Sequence, residues 1–455
     1  TNKSFHHTFT SMFNVGKIKR RLKYSYIAAF AGFLFGFDTI VISGVDQKLQ
    51  ELWSSSDLFH GLVVVGMALW GTVIGAIFGG LPTNYFGRRK TLLWIGYLYS
   101  ISAIGSAVCY DPITFAFFRF LGGVGIGIST IAAPAYISEI SSSNERGKLV
   151  GYYQLNIVIG ILFAFVSNFF LKELGESSWR FMIGVEAFPA LIYTIMIFYI
   201  SQSPRWIFLN GDISKSEFIY EKLFSIKEKE IFLKEISETK NEFQKNDSIF
   251  KNKYRFILYL AFMIAFFNQL SGINAFLYYS PRIFQEGGLG ENSAFLSSIG
   301  IGVINLIFTI IGVSLIDKLG RKILMVIGSI GYIISLTFIF LSFLFSWGGI
   351  ILPVSLFLFI AAHAIGQGSV IWVYISEIFP NHIRSSGQSF GTSTHWVLAA
   401  LIPSMIPFLF SNIGASYVFL IFLLMMIFQL IFVVFSMPET KGKSLETLSN
   451  ELIKR

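Results

Sequence analysis

The sequence predicts an all-α membrane protein of twelve transmembrane helices, arranged as two six-helix halves joined by a cytoplasmic helical linker. Three observations carry that prediction. First, 54% of the 455 residues are hydrophobic and only 13% are charged, with a mean hydropathy of +0.65, a balance far too apolar for soluble domains. Second, apolar runs of about 20 residues or more, the length a bilayer demands, come as six, a polar gap, and six again. Third, the string YISEI occurs at 136–140 and at 374–378. Each copy is followed by an arginine at one spacing (Glu139 to Arg146, Glu377 to Arg384) and preceded by a Gly-Arg-basic turn (Gly87-Arg88-Arg89, Gly320-Arg321-Lys322). Matched features in one order mark an internal duplication. Two like halves in a membrane imply a carrier that rocks one half against the other around a central site.

The elements follow in order. Residues 1–23 form a cytoplasmic N-terminal segment with Lys17, Lys19, Arg20, Arg21 and Lys23. The run after it contains Asp38 and lacks a small-residue cleavage pattern, so it reads as the first spanning helix and not as a signal peptide. The first half occupies 24–202, with spans at 24–44, 60–82, 91–109, 112–137, 148–171 and 179–200. The linker, 203–254, has Ile219, Leu223, Ile226, Phe232, Leu233 and Ile236 at near-helical intervals, which predicts short amphipathic helices. The second half, 255–437, has spans at 255–286, 293–316, 323–346, 350–379, 386–410 and 415–437; residues 438–455 form a cytoplasmic tail.

The formal net charge of +9 does not point to nucleic acid, because the basic residues fall in short loops between apolar runs. Arg88, Arg89, Lys90, Arg146, Lys148, Lys318, Arg321, Lys322, Arg384, Lys441 and Lys443 all lie on the side of the basic N-terminus, whereas Asp46, Glu51, Asp57, Asp111, Glu286 and Glu291 lie opposite, with only scattered Lys48, Lys172 and Arg282. Both termini are therefore expected in the cytoplasm of a plasma-membrane protein. The single cysteine, Cys109, excludes an intrachain disulfide, and no metal-ligand spacing surrounds it. No GxxxxGK[ST] loop is present to drive ATP-powered pumping.

Charge inside an apolar run is expensive, about 2.5–3.5 kcal/mol for an acid at a helix centre. Asp38, in FGFDTIVISG, must therefore be paired, protonated or wet. Arg119, in FFRFLGGVGIG, is its natural partner, and Glu186, in IGVEAFPALIY, is a second deep carboxyl for a proton route or a polar helix contact. Gln154, Asn156, Asn268, Gln269, Asn274, Asn305 and His395 form an uncharged polar set. Amides both donate and accept, which suits a neutral polyol, and Tyr278, Tyr279, Trp372 and Trp396 supply faces for the C–H side of a sugar ring. His363 reads as a satisfied interior histidine. The Glu and Arg motifs, Arg88, Arg89, Glu139 and Arg146 with Asp317, Arg321, Glu377 and Arg384, are expected to bridge the cytoplasmic face and hold an inward gate shut.

Over nearly its whole length the chain resembles the sugar porter family of the major facilitator superfamily. The resemblance rests on GGLPTNYFGRRKTL (79–92), DKLGRK (317–322), PAYISEI with RG (134–147), QLSGINAFLYYS (269–280) and PETKGKSLE (438–446). FGFDTIVISG resembles proton-coupled bacterial members such as the xylose–proton symporter; human facilitative glucose carriers have Asn in place of the Asp. Carried over by position, the sugar contacts would be Phe35, Gln154, Asn268, Gln269, Asn274, Tyr278, Tyr279, Asn305, Gly368, Trp372, His395 and Trp396. Proton coupling would fall to Asp38, Arg119 and Glu186. The chain departs from the family at Asn84 for Asp, Asn268 for Gln, His395 for Asn or Gln, Ser201-Gln202 for Pro-Glu, and GQGSVIW (366–372), which lacks a proline.

The resemblance implies a major facilitator fold and proton-coupled uptake of a hexose or D-xylose. Its partners would be the sugar, protons as the coupling ion and membrane lipid, with no cofactor, metal or nucleic acid and a monomer as the working unit. A facilitative uniporter and a non-transporting sugar sensor stand as alternatives.

Overall fold

The twelve apolar runs fold as twelve helices, and the described residues, 2–142, 145–225, 228, 248–380, 383–443, 448 and 451–454, include no strand. This architecture is that of a computed structural model in which the side chains of 2–15 and 385 lie outside the description. In the first half α1 spans Gly16–Gly44, α2 Asp57–Phe78, α3 Arg88–Val108, α4 Pro112–Glu139, α5 Arg146–Leu171 and α6 Ser178–Ile197. In the second, α7 spans Asn252–Tyr278, α8 Glu291–Leu319, α9 Arg321–Leu344, α10 Ile351–Ile378, α11 Ser386–Ile413 and α12 Ala415–Phe435. Each has 20–29 residues, enough at about 1.5 Å per residue to cross a hydrocarbon core of about 30 Å.

Local chemistry sets the helix boundaries. Asp111 caps α4 by accepting from the Ile113 and Thr114 amides at 3.1 and 2.9 Å, and Pro112 occupies the first helical position, where no amide proton is needed. Helical structure continues upstream of α1 as far as Asn2, so the basic segment extends the first helix instead of ending before it. There Arg21 lies over the Phe224 ring at 5.0 Å and pairs with Glu145 and Glu228 at 3.1 and 2.7 Å. Phe224 closes the second of two linker helices, Pro204–Leu209 and Ile213–Leu223, whose Ile219 and Leu223 are buried. Ile226, Phe232, Leu233 and Ile236 lie outside the described residues.

Glycines let the helices approach to backbone contact. A Cβ on Gly36 of α1 would sit 1.9 Å from the Ile157 carbonyl oxygen of α5, and one on Gly123 of α4 would sit 1.9 Å from that of Ala68 on α2. Across the halves α5 packs on α8 and α2 on α11, with Gly61 against the Ser404 backbone.

Two helices of the second half are broken where polar residues cluster. In α7 the helix Arg255–Leu270 stops at Ser271, and Gly272 adopts φ +86°, a left-handed conformation that glycine takes without strain. Helix then resumes over Ile273–Tyr278 and Ser280–Glu286. α10 breaks at Gly366, between Ile351–Ile365 and Gln367–Ile378, pressed against Gly328 of α9. Cys109 is a free, buried thiol just beyond α3, and burial pushes its pKa up to about 11, which leaves it protonated and unreactive.

Candidate functional site

In the first half one acid interrupts the apolar face of α1. Asp38 is fully buried; Arg119 from α4 pairs with its Oδ1 and donates through Nη2 to the Asp38 backbone carbonyl at 2.7 Å. Glu186, at the start of the helix Ala187–Ile197 in α6, is also fully buried, with its carboxyl in hydrogen-bonding reach of Asp38. Three helices thus bring two carboxyls and one guanidinium together. Among the described residues, Asp38 Oδ2 and both Glu186 oxygens accept no hydrogen bond. Gly122 on α4 leaves room for the cluster, since a Cβ there would lie 2.4 Å from Ser102 Oγ and 3.4 Å from Asp38 Oδ2. With all three groups ionised the cluster would carry a net negative charge, which a buried site penalises strongly.

In the second half the break in α7 gathers the amides. Gln269 donates to Asn268 Oδ1 at 2.8 Å, accepts from Asn274 Nδ2 at 2.8 Å, and lies 3.3 Å from His395 Nδ1 on α11. His395 stands edge-on to Trp372 of α10 and Trp396, with ring centroids 4.7 and 5.1 Å apart. Trp396 reaches the other half, where Phe35 of α1 lies 5.7 Å away between centroids. Tyr278 is buried within hydrogen-bonding reach of Thr39 on α1 and close enough to Arg119 and Asp38 to feel their charge. Tyr279 donates to the Pro403 carbonyl at 3.0 Å, at the first of two prolines in α11. Other residues of the polar set serve their own helices: Asn156 donates to the Tyr152 carbonyl at 2.8 Å, and Asn305 accepts from Thr309 at 3.5 Å. Gln154 is half-buried on α5. Gly368 packs against His363, which hydrogen-bonds Tyr332 at 2.5 Å.

Residues 24–452 match the family model for "Sugar (and other) transporter". The chain belongs to that family. This family member is 35% identical over 442 residues to the arabinose-proton symporter of Bacillus subtilis (strain 168), with 94% of each chain covered. It is 31% identical over 461 residues to the D-xylose-proton symporter of Escherichia coli (strain K12), covering 93% of this chain and 94% of that one. A solved structure of the Escherichia coli xylose transporter in an inward open conformation superposes with a TM-score of 0.84 at 30% identity, covering 94% of this chain and 98% of that one.

On the face of this transporter that bears the termini, the charged motifs pair within halves and not across them. Arg88 donates to Glu139 at 2.7 and 3.0 Å, and Arg321 to Glu377 at 2.7 and 3.1 Å. The reason is local: each Gly-Arg turn starts a helix, α3 or α9, beside the end of the helix carrying YISEI. Asp317 accepts from Arg321 at 3.1 Å, and Asn84 takes the matching place before Arg88 at 3.2 Å. Arg89 donates to the Phe198 carbonyl at 2.9 Å. Arg146 is half-buried, and Arg384 donates to the Phe379 carbonyl at 3.3 Å. Among the described residues, no ion pair joins the two halves on this face.

The duplication reaches further. Gln202 Oε1 accepts from the Arg89 amide at 2.8 Å, and Glu439 accepts from the amides of Arg321 and Lys322 at 3.0 and 2.9 Å and of Thr440 and Lys441, both at 2.9 Å. Burial raises the Glu439 pKa, but the amides of Lys441, Arg321, Lys322 and Thr440 outweigh it and hold the carboxyl below the ordinary glutamate range.

Two groups escaped the sequence reading. Asn268 does not simply face the amide cluster; it also donates to Gln367 at 3.4 Å, which donates to Gln429 at 2.7 Å, which donates to Ser329 at 2.8 Å. Gln429, alone in the strongly apolar run of α12, was the available signal. On the face away from the termini, Asp46 pairs with Arg282 at 2.6 Å and with His60 at 2.7 Å, all three nearly or fully buried. In the sequence Asp46 reads as a loop acid and Arg282 as a scattered base on the same side, and only packing reveals the contact with each other and with His60.

Proposed function

We propose that the chain carries a neutral monosaccharide, a hexose or D-xylose, into the cell together with a proton, by alternating access. One observation carries the reading: Asp38 and Arg119, buried in the first half with Glu186, lie within electrostatic reach of Tyr278, which belongs to the amide-lined break in α7 of the second. Proton and sugar chemistry therefore meet at the seam between the moving parts. Relatives named as arabinose-proton and D-xylose-proton symporters support the substrate class.

The sugar hydroxyls exchange hydrogen bonds with Gln269 and Asn274, and His395 adds a ring nitrogen. Trp372 and Trp396 cover the C–H faces, with Phe35 completing the wall from the other half. A proton entering from outside on Asp38 makes the cluster neutral with Glu186 and Arg119. It also turns two facing acceptors into a donor and an acceptor, which weakens the hold of Arg119 on α1 and permits the loaded carrier to rock. Coupling requires that protonation differ between the two orientations of the site.

The face bearing the termini is cytoplasmic, because the short-loop lysines and arginines gather there. Residues 24–202 and 255–437 are the moving halves and 203–254 the cytoplasmic linker. Large apolar side chains such as Trp94, Phe163, Phe188, Ile307 and Phe428 turn outward to lipid, and the monomer is the working unit. Proteoliposome counterflow with a panel of labelled hexoses and pentoses, read together with internal pH, tests the assignment. Counterflow with sugar-dependent acidification is expected; counterflow without proton movement would make the chain a uniporter, and no counterflow with any sugar would remove the carrier reading.

A further inference from the structure

Away from the termini, three elements converge on one carboxylate. Asp46 lies in the helix Asp46–Leu52 that follows α1, His60 at the start of α2, and Arg282 in Ser280–Glu286 beyond α7, so the first two belong to one half and the third to the other. Asp46 Oδ2 is 2.6 Å from Arg282 Nε, and Asp46 Oδ1 is 2.7 Å from His60 Nε2. Exposure is 1% for Asp46, 0% for His60 and 7% for Arg282, so water screens none of them. Gln50 extends the contact, accepting from Arg282 Nη2 at 2.5 Å and donating to Asp57 at 2.7 Å. Ser55 meets the far ring nitrogen of His60 at 3.3 Å, the Arg282 guanidinium lies 5.7 Å from the Tyr279 ring, and Glu286 is near enough to feel the charge of both Arg282 and Asp46. Close beside the cluster, Gly61 and Gly66 of α2 press on Ser404 of α11.

We infer that Asp46, His60 and Arg282 are a charged lock between the halves, holding the outer face shut in the inward-facing carrier and parting when it opens outward. The chemistry favours a lock over a permanent brace. Asp46 and Arg282 sit on opposite moving halves, and parting them exposes both to water, which solvates each charge as the pair breaks. On the opposite face the Arg88–Glu139 and Arg321–Glu377 pairs each stay within one half, whereas Asp46–Arg282 crosses between them. Arg282 stands three residues after Tyr279, in the helix that continues from the broken α7, so movement of α7 around bound sugar reaches the lock through that short helix.

The inference rests on the alternating-access reading, and its test separates the two. Thr39 of α1 lies below the lock, seven positions before Asp46. In whole cells carrying Cys109→Ser and Thr39→Cys, labelling by a membrane-impermeant thiol reagent reads access from outside. Asp46→Asn and Arg282→Gln are each expected to speed labelling about tenfold or more, because the population shifts toward the outward-open form. The double variant labels no faster than the quicker single one, since both remove one contact. Gln50→Ala, which removes hydrogen bonds to Arg282 and Asp57 but leaves the Asp46–Arg282 pair in place, should lie between parent and single variants and serves where a charge variant does not fold. Equal labelling rates in parent, Gln50→Ala and whichever charge variants fold overturn the lock. Faster labelling without sugar counterflow in the parent would leave the lock standing and remove the carrier reading instead.

Discussion

Replacing Asp38 by Asn preserves the outline of the side chain and removes both its charge and its proton site. Stranding a buried charge costs about 3–5 kcal/mol. Here Arg119 retains the Asp38 backbone carbonyl at 2.7 Å and Glu186 beside it, so the variant should fold with a smaller loss. The transport consequence is larger and can be stated from the stoichiometry. One proton per sugar converts a pH difference of one unit, about 1.4 kcal/mol, into a tenfold sugar gradient. Proteoliposomes with that pH difference and no membrane potential should therefore accumulate labelled sugar about tenfold with the native chain. With Asp38→Asn the internal and external concentrations should become equal, while counterflow persists because the amide site of the second half is untouched. Tenfold accumulation by the variant would refute the assignment of coupling to this carboxyl.

The other predictions are more local. Gln269→Ala removes the partner of Asn268, Asn274 and His395 at once; at about 0.5–1.5 kcal/mol per net hydrogen bond, the sugar KM should rise roughly 10- to 100-fold with folding intact, and an unchanged KM would remove α7 from the site. Gln429→Leu keeps the volume but leaves the buried Gln367 and Ser329 short of a partner, about 1–3 kcal/mol, so thermal-shift Tm should fall by a few degrees; an unchanged Tm would mean that the amide chain bears no load. Glu439 binds the tail to α9 with a depressed folded pKa, so its contribution is complete above the unfolded value of about 4.3 and is lost as pH falls through the lower folded one. A spin label at Lys443→Cys should gain mobility over that fall, and Glu439→Gln should show it already at neutral pH; mobility independent of pH in the native tail would overturn the latch.

Much of this molecule was legible in one dimension. Twelve helices follow from apolar run length, because a bilayer leaves no other way to satisfy the backbone. Asp38 stood out because a charge inside such a run demands a partner, and Arg119, an equally misplaced base, was the evident one. The duplicated motifs announced two halves with like turns, and the matched capping of α3 by Gln202 and α9 by Glu439 extends that symmetry to residues without string identity.

The partners across the halves were not legible. The YISEI glutamates were expected to bridge the face that bears the termini; in this conformation each instead takes the arginine of the neighbouring helix start in its own half. Gln367 and Gln429 read as isolated amides because their contact spans three helices and long sequence separations. Asp46 and Arg282 read as unrelated charges because hydropathy reports how apolar a segment is and not which loop lies over which. Sequence by itself determined the helices and the charges that cannot stand alone, since these depend on free energies of single segments in water and hydrocarbon. The tertiary structure decided which charges meet, because an ion pair is a property of two positions brought within a few ångströms of each other, and how two halves are tilted is written in no single segment.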